Sequence, residues 1–103
     1  IDFTGSDWCP PCIALHEKVL SSKPILNYAK EQFILVTVDF PHNKIQPDNL
    51  ALANHILARE FRVDSFPTVI ILDANGTEVH RVNGYNGAPA ADYLKALKKK
   101  LNP

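Results

Sequence analysis

The chain has 103 residues, and 46% of them are hydrophobic, which is enough for one hydrophobic core and too little for two domains. Its 11 Lys and Arg residues balance its 11 Asp and Glu residues, so the zero net charge indicates no nucleic-acid or membrane-surface partner. No apolar run approaches the length of about 18 residues that a membrane span requires.

The chain begins in what reads as the middle of a β-strand. Ile1 to Thr4 have strand character, and Gly5-Ser6-Asp7 predicts a loop after them. There is no methionine anywhere in the chain, not even at the first position. We therefore expect a processed or trimmed segment that forms one domain over residues 1–103, with an earlier strand removed. The sequence leaves open whether a signal peptide preceded it.

Both cysteines of the chain lie directly after this loop. They belong to the segment Trp8-Cys9-Pro10-Pro11-Cys12. Pro10 and Pro11 favour the first two positions of a helix, where a missing N–H breaks no intrahelical bond. Cys9 is then the N-cap, where unpaired N–H groups and the helix dipole favour thiolate over thiol. We predict that Cys9 is a nucleophile open to solvent and that Cys12, one turn on, is the resolving thiol.

Two other interpretations of the cysteine pair are weaker on physical grounds. A structural disulfide that closes so short a loop stabilises a fold by only about 2 kcal/mol. A zinc site normally takes four ligands, whereas Cys9, Cys12 and His16 supply three. We therefore predict a redox pair that needs no metal and no organic cofactor, and we assign His16 to a surface or half-buried position.

The spacing of apolar residues predicts the next elements in chain order. An amphipathic helix runs from Cys9 to about Leu20, Ser21 to Pro24 interrupt it, and helix resumes from Ile25 to Gln32. The β-branched apolar run from Phe33 to Val38 predicts a strand buried on both faces in a parallel sheet. Two prolines and several polar residues predict a surface loop from Pro41 to Pro47.

The second half of the chain is predicted to hold two helices and a hairpin. A helix spans about Asp48 to Phe61, with Leu52 and Ile56 among the residues on its apolar side. Asn75-Gly76 predicts a tight hairpin between a buried strand at Val69 to Leu72 and an edge strand at Thr77 to Val82. A final helix begins at Pro89. Polar residues assigned to exposed positions are His42, Asn54, His55 and His80.

Two segments resemble the active-site motifs of the thioredoxin superfamily. Trp8-Cys9-Pro10-Pro11-Cys12 follows a strand, and Ser65-Phe66-Pro67-Thr68 precedes an apolar strand, as the family's cis-proline does. The predicted order of elements matches the family's α/β fold, a central mixed β-sheet flanked by helices. The resemblance covers nearly the whole chain, and Glu17 to Asp39 is most similar to a bacterial extracytoplasmic branch.

The resemblance implies roles for residues outside the cysteine motif. Pro67 is expected to be cis, and Gly84 to lie in a third active-site loop that a substrate approaches. Asp2 resembles the family's buried proton acceptor for the resolving thiol, although one extra residue separates it from Cys9 and Leu35 replaces the lysine that often pairs with it. Without that lysine, a buried carboxylate has a raised pKa, which suits a general base. The implied substrate-binding residues are Trp8, Pro10, Pro11, Phe66, Pro67 and Gly84.

The resemblance implies thiol–disulfide exchange between Cys9, Cys12 and a protein or peptide disulfide, with an upstream thiol–disulfide electron donor. A reducing direction is expected, because Pro11 stands where oxidising members often carry histidine and both prolines remove N–H groups that would solvate the thiolate. Two alternatives stay open, a disulfide oxidase or isomerase and a binding module whose cysteines stay oxidised. We expect a monomer in the periplasm or another extracytoplasmic compartment, with a cytoplasmic location left open.

Overall fold

A computed structural model describes residues 1–102 of the chain. The elements in order are β1 (Asp2–Thr4), α1 (Pro10–Leu15), a π-helical segment (His16–Leu20), α2 (Lys23–Gln32), β2 (Thr37–Asp39), α3 (Asp48–Glu60), β3 (Thr68–Leu72), β4 (Glu78–Asn83) and α4 (Ala90–Leu101).

The four strands form one mixed sheet in the order β2-β1-β3-β4. β1 pairs in parallel with β2 and antiparallel with β3, and β3 pairs antiparallel with β4. The strand that leads into the cysteine motif is therefore central in the sheet, with a neighbour on each side. The predicted α/β architecture, a mixed sheet flanked by helices, is confirmed.

Two groups of buried side chains hold the helices to the sheet. One group lies between α2, α4 and the helix formed by α1 and the π-helical segment. Its members are Leu15, Val19, Ile25, Tyr93 and Leu97. The other group lies around Phe3, Val38 and Ile70, with Phe61 packed against it. Because Leu15 and Val19 are almost fully buried, and because burying such a side chain contributes about 1.5–3 kcal/mol, they fix the helix that begins at the cysteines.

The helix that begins at Pro10 changes from α-helical to π-helical winding after α1. Residues His16–Leu20 are π-helical, and the N–H of Ser21 donates to the carbonyl oxygen of His16 at 2.9 Å, five residues back. The helix then breaks at Ser22, and α2 restarts with Pro24 in its first turn. The break predicted at Ser21 to Pro24 and the helix predicted up to about Leu20 are confirmed, whereas the π-helical winding of the last turn was not predicted.

The strand predicted from Phe33 to Val38, buried on both faces, is wrong in its extent and its burial. β2 contains only Thr37–Asp39, and Ile34 is 90% exposed. β2 is an edge strand whose pairing with β1 begins at Asp2 and Thr37, so the residues before Thr37 extend past the paired part of β1. A run of apolar residues indicates strand character but does not reveal whether a partner strand lies beside it.

The predicted faces of α3 are also partly wrong. Leu52 is 61% exposed and Ile56 is similarly exposed, whereas Asn54, predicted on the polar side, is only 8% exposed. The Asn54 side chain donates a hydrogen bond from Nδ2 to the Asp39 carbonyl oxygen at 3.1 Å. The helix therefore buries an amide because the end of β2 offers it an acceptor, which the apolar spacing of α3 does not reveal.

The hairpin between β3 and β4 forms at Asn75-Gly76, with Gly76 in the left-handed region at a φ of 82°. A register shift between Ile71 and Leu72 interrupts the pairing, since Ile71 lies opposite His80 and Leu72 opposite Glu78. β4 does not show the expected alternation, because its burial runs from two exposed residues to three half-buried ones, His80 to Val82. His80 is half-buried, and the prediction that it lies on the exposed face is wrong.

The buried hydrogen bond of Asn54 should stabilise the fold measurably. We expect Asn54→Ala to lower the free energy of unfolding by about 1 kcal/mol, because the variant loses one of the two side-chain donors to the Asp39 carbonyl and Gln46 supplies the other. Leu52→Ala on the exposed side of the same helix should change it by less than about 0.5 kcal/mol. Urea denaturation of the oxidised protein measures both values, and equal values for the two variants would contradict the assignment of the buried face.

Candidate active site

The predicted pairing of Cys9 with Cys12 is confirmed, because the two residues form a disulfide with their Cα atoms 5.2 Å apart. Cys9 is the extended N-cap residue of α1, and its carbonyl oxygen accepts the N–H of Ile13 at 3.0 Å. Pro10 and Pro11 occupy the first two helical positions, as predicted. The local sequence thus builds a helix whose first turn is closed by a disulfide.

Both sulfur-bearing residues are buried in this oxidised state. Cys9 is 4% exposed and Cys12 is 2% exposed. The expectation that Cys9 stands open to solvent is therefore wrong for the disulfide form. One cause is the approach of the Phe66 carbonyl oxygen, which lies 3.8 Å from the Cys9 sulfur. This is a contact and not a hydrogen bond, since a disulfide sulfur carries no proton.

The loop before β3, which contains Phe66 and Pro67, also approaches the disulfide. The peptide bond between Phe66 and Pro67 is cis, which is the isomer expected from the sequence, and Pro67 is almost fully buried. The Pro67 carbonyl oxygen accepts the N–H of Gly84 at 2.7 Å. Gly84 has a φ of 78°, and a Cβ there would meet nothing within 4 Å, so this glycine meets a backbone requirement and not a steric one. The cysteine motif, the Pro67 loop and the Gly84 loop therefore meet at one end of the sheet.

The Trp8 indole is held on several sides. Its Nε1–H donates to the Phe40 carbonyl oxygen at 2.6 Å, and the His42 ring stacks on it with centroids 4.3 Å apart and planes 5° apart. Phe66 meets the indole edge to face at 5.9 Å. Gly5 lies so close to the indole that a Cβ at that position would overlap it. Trp8 nevertheless remains 36% exposed and borders the disulfide as an apolar surface.

Two carboxylates connect the loop before the cysteines to the loop after β2. Asp7 accepts the backbone N–H groups of His42 and Asn43, each at 2.9 Å. These hydrogen bonds, that of His42 first, lower the pKa of the Asp7 carboxyl. Asp39 accepts the N–H and the hydroxyl of Ser6 at 2.9 and 2.6 Å. The sequence does not reveal this connection, because nothing local to residues 40–43 indicates what they contact.

Asp2 lies in β1 between Thr37 of β2 and Val69 of β3. Its Oδ1 is buried and, among residues 1–102, has no hydrogen-bond partner. Burial raises the pKa of the Asp2 carboxyl to about 6; the amino group of Ile1 and then His16 oppose the rise, and Asp39 adds to it. A raised pKa is what the sequence predicted for this carboxyl. Asp2 is therefore able to accept or release a proton near neutral pH.

The chemistry available at this site is thiol chemistry. Within residues 1–102, no three His, Cys, Asp or Glu side chains come together as ligands for a metal ion. In this oxidised state the sulfurs of Cys9 and Cys12 are bonded to each other, so neither is a thiolate that could bind zinc. None of the helices in the described part of the chain has the length and apolar character needed to cross a membrane.

Comparison with known proteins gives a family and several relatives. A family model described as a thioredoxin-like domain matches residues 1–101. The disulfide bond reductase DsbH of Chlamydia pneumoniae is 33% identical over 99 residues, which cover 96% of this chain and 59% of DsbH. The thioredoxin-related protein DsbJ of the same organism is 28% identical, with 92% of this chain and 27% of DsbJ covered. The thiol:disulfide interchange protein DsbD of Tatumella citrea is 35% identical, with 91% and 15% covered. The chain thus spans less than two thirds of each of these three relatives.

Solved structures agree with this assignment. A DsbH oxidoreductase structure superposes with a TM-score of 0.90 at 33% identity, covering 97% of this chain and 69% of the other. A thioredoxin from Thermus thermophilus gives a TM-score of 0.63 at 25% identity, covering 98% and 71%. With its disulfide at the start of α1, this chain belongs to the thioredoxin-like domain family.

Proposed function

We propose that the protein is a protein-disulfide reductase. The observation that carries this direction is the pair of prolines at the first two positions of α1, directly after Cys9. Each proline lacks the N–H that would otherwise stabilise a thiolate at the helix start, and a less stabilised thiolate makes the reduced form the better electron donor. Similarity to a relative named disulfide bond reductase supports the same direction.

In the proposed reaction the reduced protein gives two electrons to a substrate disulfide. The Cys9 thiolate attacks one substrate sulfur, a Cys9–substrate bond forms, the substrate S–S bond breaks, and the leaving sulfur takes a proton from solvent. Cys12 then loses its proton and attacks the Cys9 sulfur. The mixed disulfide breaks, the second substrate thiol leaves, and the Cys9–Cys12 disulfide remains. An upstream dithiol must return two electrons before the next cycle.

Asp2 is the proposed general base for the second step. Its Oδ1 is buried without a hydrogen-bond partner among residues 1–102, and its pKa of about 6 leaves the carboxyl ionised at neutral pH, ready to take the Cys12 proton. As a thiolate, Cys12 is the nucleophile that releases the product. The proton then passes from Asp2 to a leaving thiolate or to water.

The substrate is proposed to dock on the surface around the disulfide. Trp8 and Phe66 offer apolar contacts there, and Pro10, Pro11 and Gly84 complete its border. Pro67 is almost fully buried and contributes through its cis peptide bond to Phe66. Among residues 1–102, the N–H of Phe66 donates no hydrogen bond, so it is free to pair with an extended substrate segment in the manner of strand addition.

The proposed partners are protein or peptide disulfides and an upstream thiol–disulfide donor, with the protein acting as a monomer. Similarity to the interchange protein DsbD supports partners of this chemical class. A periplasmic or other extracytoplasmic location is proposed with them, because disulfide substrates persist in oxidising compartments.

The reductase is tested by reduction of insulin with dithiothreitol as electron source. We expect the wild-type protein to accelerate the reaction, and we expect Cys9→Ser to remove the acceleration because no nucleophile remains. Once reduced, the wild type should also react with iodoacetamide at Cys9, since breaking the disulfide frees this buried side chain.

Two outcomes would contradict the reductase. Equal inactivity of the wild type and Cys9→Ser would favour a binding module. Efficient transfer of the disulfide from the oxidised protein to a reduced peptide, without insulin reduction, would favour an oxidase.

The Asp2 carboxyl should govern the pH dependence of both the reaction and stability. Above pH 6 we expect Asp2→Asn to slow release of the mixed disulfide by about a hundredfold or more, because the general base is gone. Burial raises the pKa of this carboxyl from its ordinary value of 3.8 to about 6, so the folded protein holds the Asp2 proton more tightly than the unfolded chain does. Wild-type stability therefore falls as pH rises through this window.

The Asp2→Asn variant has no carboxyl to ionise, so it avoids this loss of stability. Its free energy of unfolding should exceed that of wild type by up to about 3 kcal/mol at pH 7.5 and should equal it near pH 3. Stopped-flow kinetics and urea denaturation at several pH values measure the two effects. Asp48→Asn, the same change at an exposed position, is the control. A pH profile of Asp2→Asn identical to that of wild type would refute the role.

A further inference from the structure

The His42 side chain has an unusual setting for a surface histidine. It is exposed, and within residues 1–102 its imidazole makes no hydrogen bond, yet its ring lies parallel to the Trp8 indole with centroids 4.3 Å apart. Offset-stacked aromatic pairs at this separation are favourable beyond the area that they bury. The contact of His42 with Trp8 is therefore specific in geometry and is made by the ring alone.

The loop that carries His42 is anchored independently of that ring. The backbone N–H groups of His42 and Asn43 donate to the Asp7 carboxylate, and the side chain of Asn43 donates to the Asp7 carbonyl oxygen at 3.2 Å. The Phe40 carbonyl oxygen accepts the indole N–H. A substitution that changes only the ring of His42 thus leaves these anchors in place.

The His42 ring covers one face of the Trp8 indole, and other residues contact the indole on its remaining sides. Gly5 leaves no room for a side chain on another side, and Phe66 meets the indole at nearly a right angle, with planes 88° apart. Phe66 is also the residue whose carbonyl oxygen lies beside the Cys9 sulfur. The orientation of Trp8 is therefore connected, through one ring contact, to the loop that borders the disulfide.

We propose that His42 is a positioning residue for thiol–disulfide exchange: its ring holds the Trp8 indole in the orientation that borders the substrate-docking surface beside Cys9. The inference rests on the proposed function, in which Trp8 contacts the substrate. His42 touches no reacting sulfur in this account and acts through Trp8. Its effect is therefore on docking of a polypeptide substrate and not on the sulfur chemistry.

The size of the effect follows from the strength of one aromatic pair. Loss of such a pair corresponds to a change in a binding constant of about twofold to tenfold. We expect His42→Ala to raise KM for insulin within that range and to leave kcat close to the wild-type value. The rate with bis(hydroxyethyl) disulfide should not change, because that substrate is too small to use the Trp8 border.

A structural readout is available because Trp8 is the single tryptophan of the chain. In the oxidised protein, His42→Ala should shift the fluorescence emission to longer wavelength and increase quenching by acrylamide, since one face of the indole becomes open to solvent. His42→Phe restores a flat ring and should return both fluorescence and KM towards wild type. Ile45→Ala is the matched control, since it truncates a 99% exposed side chain in the same loop.

The outcomes separate the two proposals. A wild type that reduces neither disulfide refutes the proposed reductase. A wild type that reduces both, with fluorescence and KM unchanged in His42→Ala, refutes the positioning role alone. The role is also refuted if His42→Phe fails to restore KM, because stacking would then not be the cause, or if the small disulfide slows as much as insulin.

Discussion

The structure depends on one constraint, the placement of two cysteines across the first turn of a helix that is itself fixed in the core. Pro10 and Pro11 favour the start of α1 at this point, and the disulfide closes the turn. Leu15 and Val19 bury the next two turns against α2 and α4, so the helix start has little freedom to move. The central position of β1 then brings the helix start to the end of the sheet where the Pro67 and Gly84 loops lie.

The site combines a covered sulfur pair with a buried, partly polar surrounding. Cys9 and Cys12 are almost fully buried when oxidised, and the Oδ1 atom of Asp2 is buried without a hydrogen-bond partner in the described chain. Such a carboxyl is unfavourable for stability, because burial opposes its ionised form. A buried carboxyl that lowers the stability of the fold in this way is typical of a group that transfers protons. Because Cys9 is buried in the oxidised state, the proposed reaction requires that reduction or substrate docking exposes it.

The sequence was informative where function depends on neighbours along the chain. The cysteine spacing, the two prolines and the residue before Pro67 are local features, and they were sufficient to predict the disulfide and the loop opposite it. Prediction from the sequence failed where burial depends on a contact with a residue far away in the chain. The exposure of Ile34 depends on how far β1 extends, and the burial of Asn54 depends on a carbonyl oxygen at the end of β2. The stack of His42 on Trp8 joins residues 34 positions apart, and no periodic pattern encodes it.

In the proposed reductase, the two prolines after Cys9 make the reduced cysteine pair a good electron donor. A redox titration of the cysteine pair against reduced and oxidised glutathione measures this directly, with the thiol and disulfide forms separated after acid quenching. The account predicts a standard potential near the value of about −270 mV that is typical of thioredoxin. A value near about −120 mV, as found for strong oxidants, would contradict it.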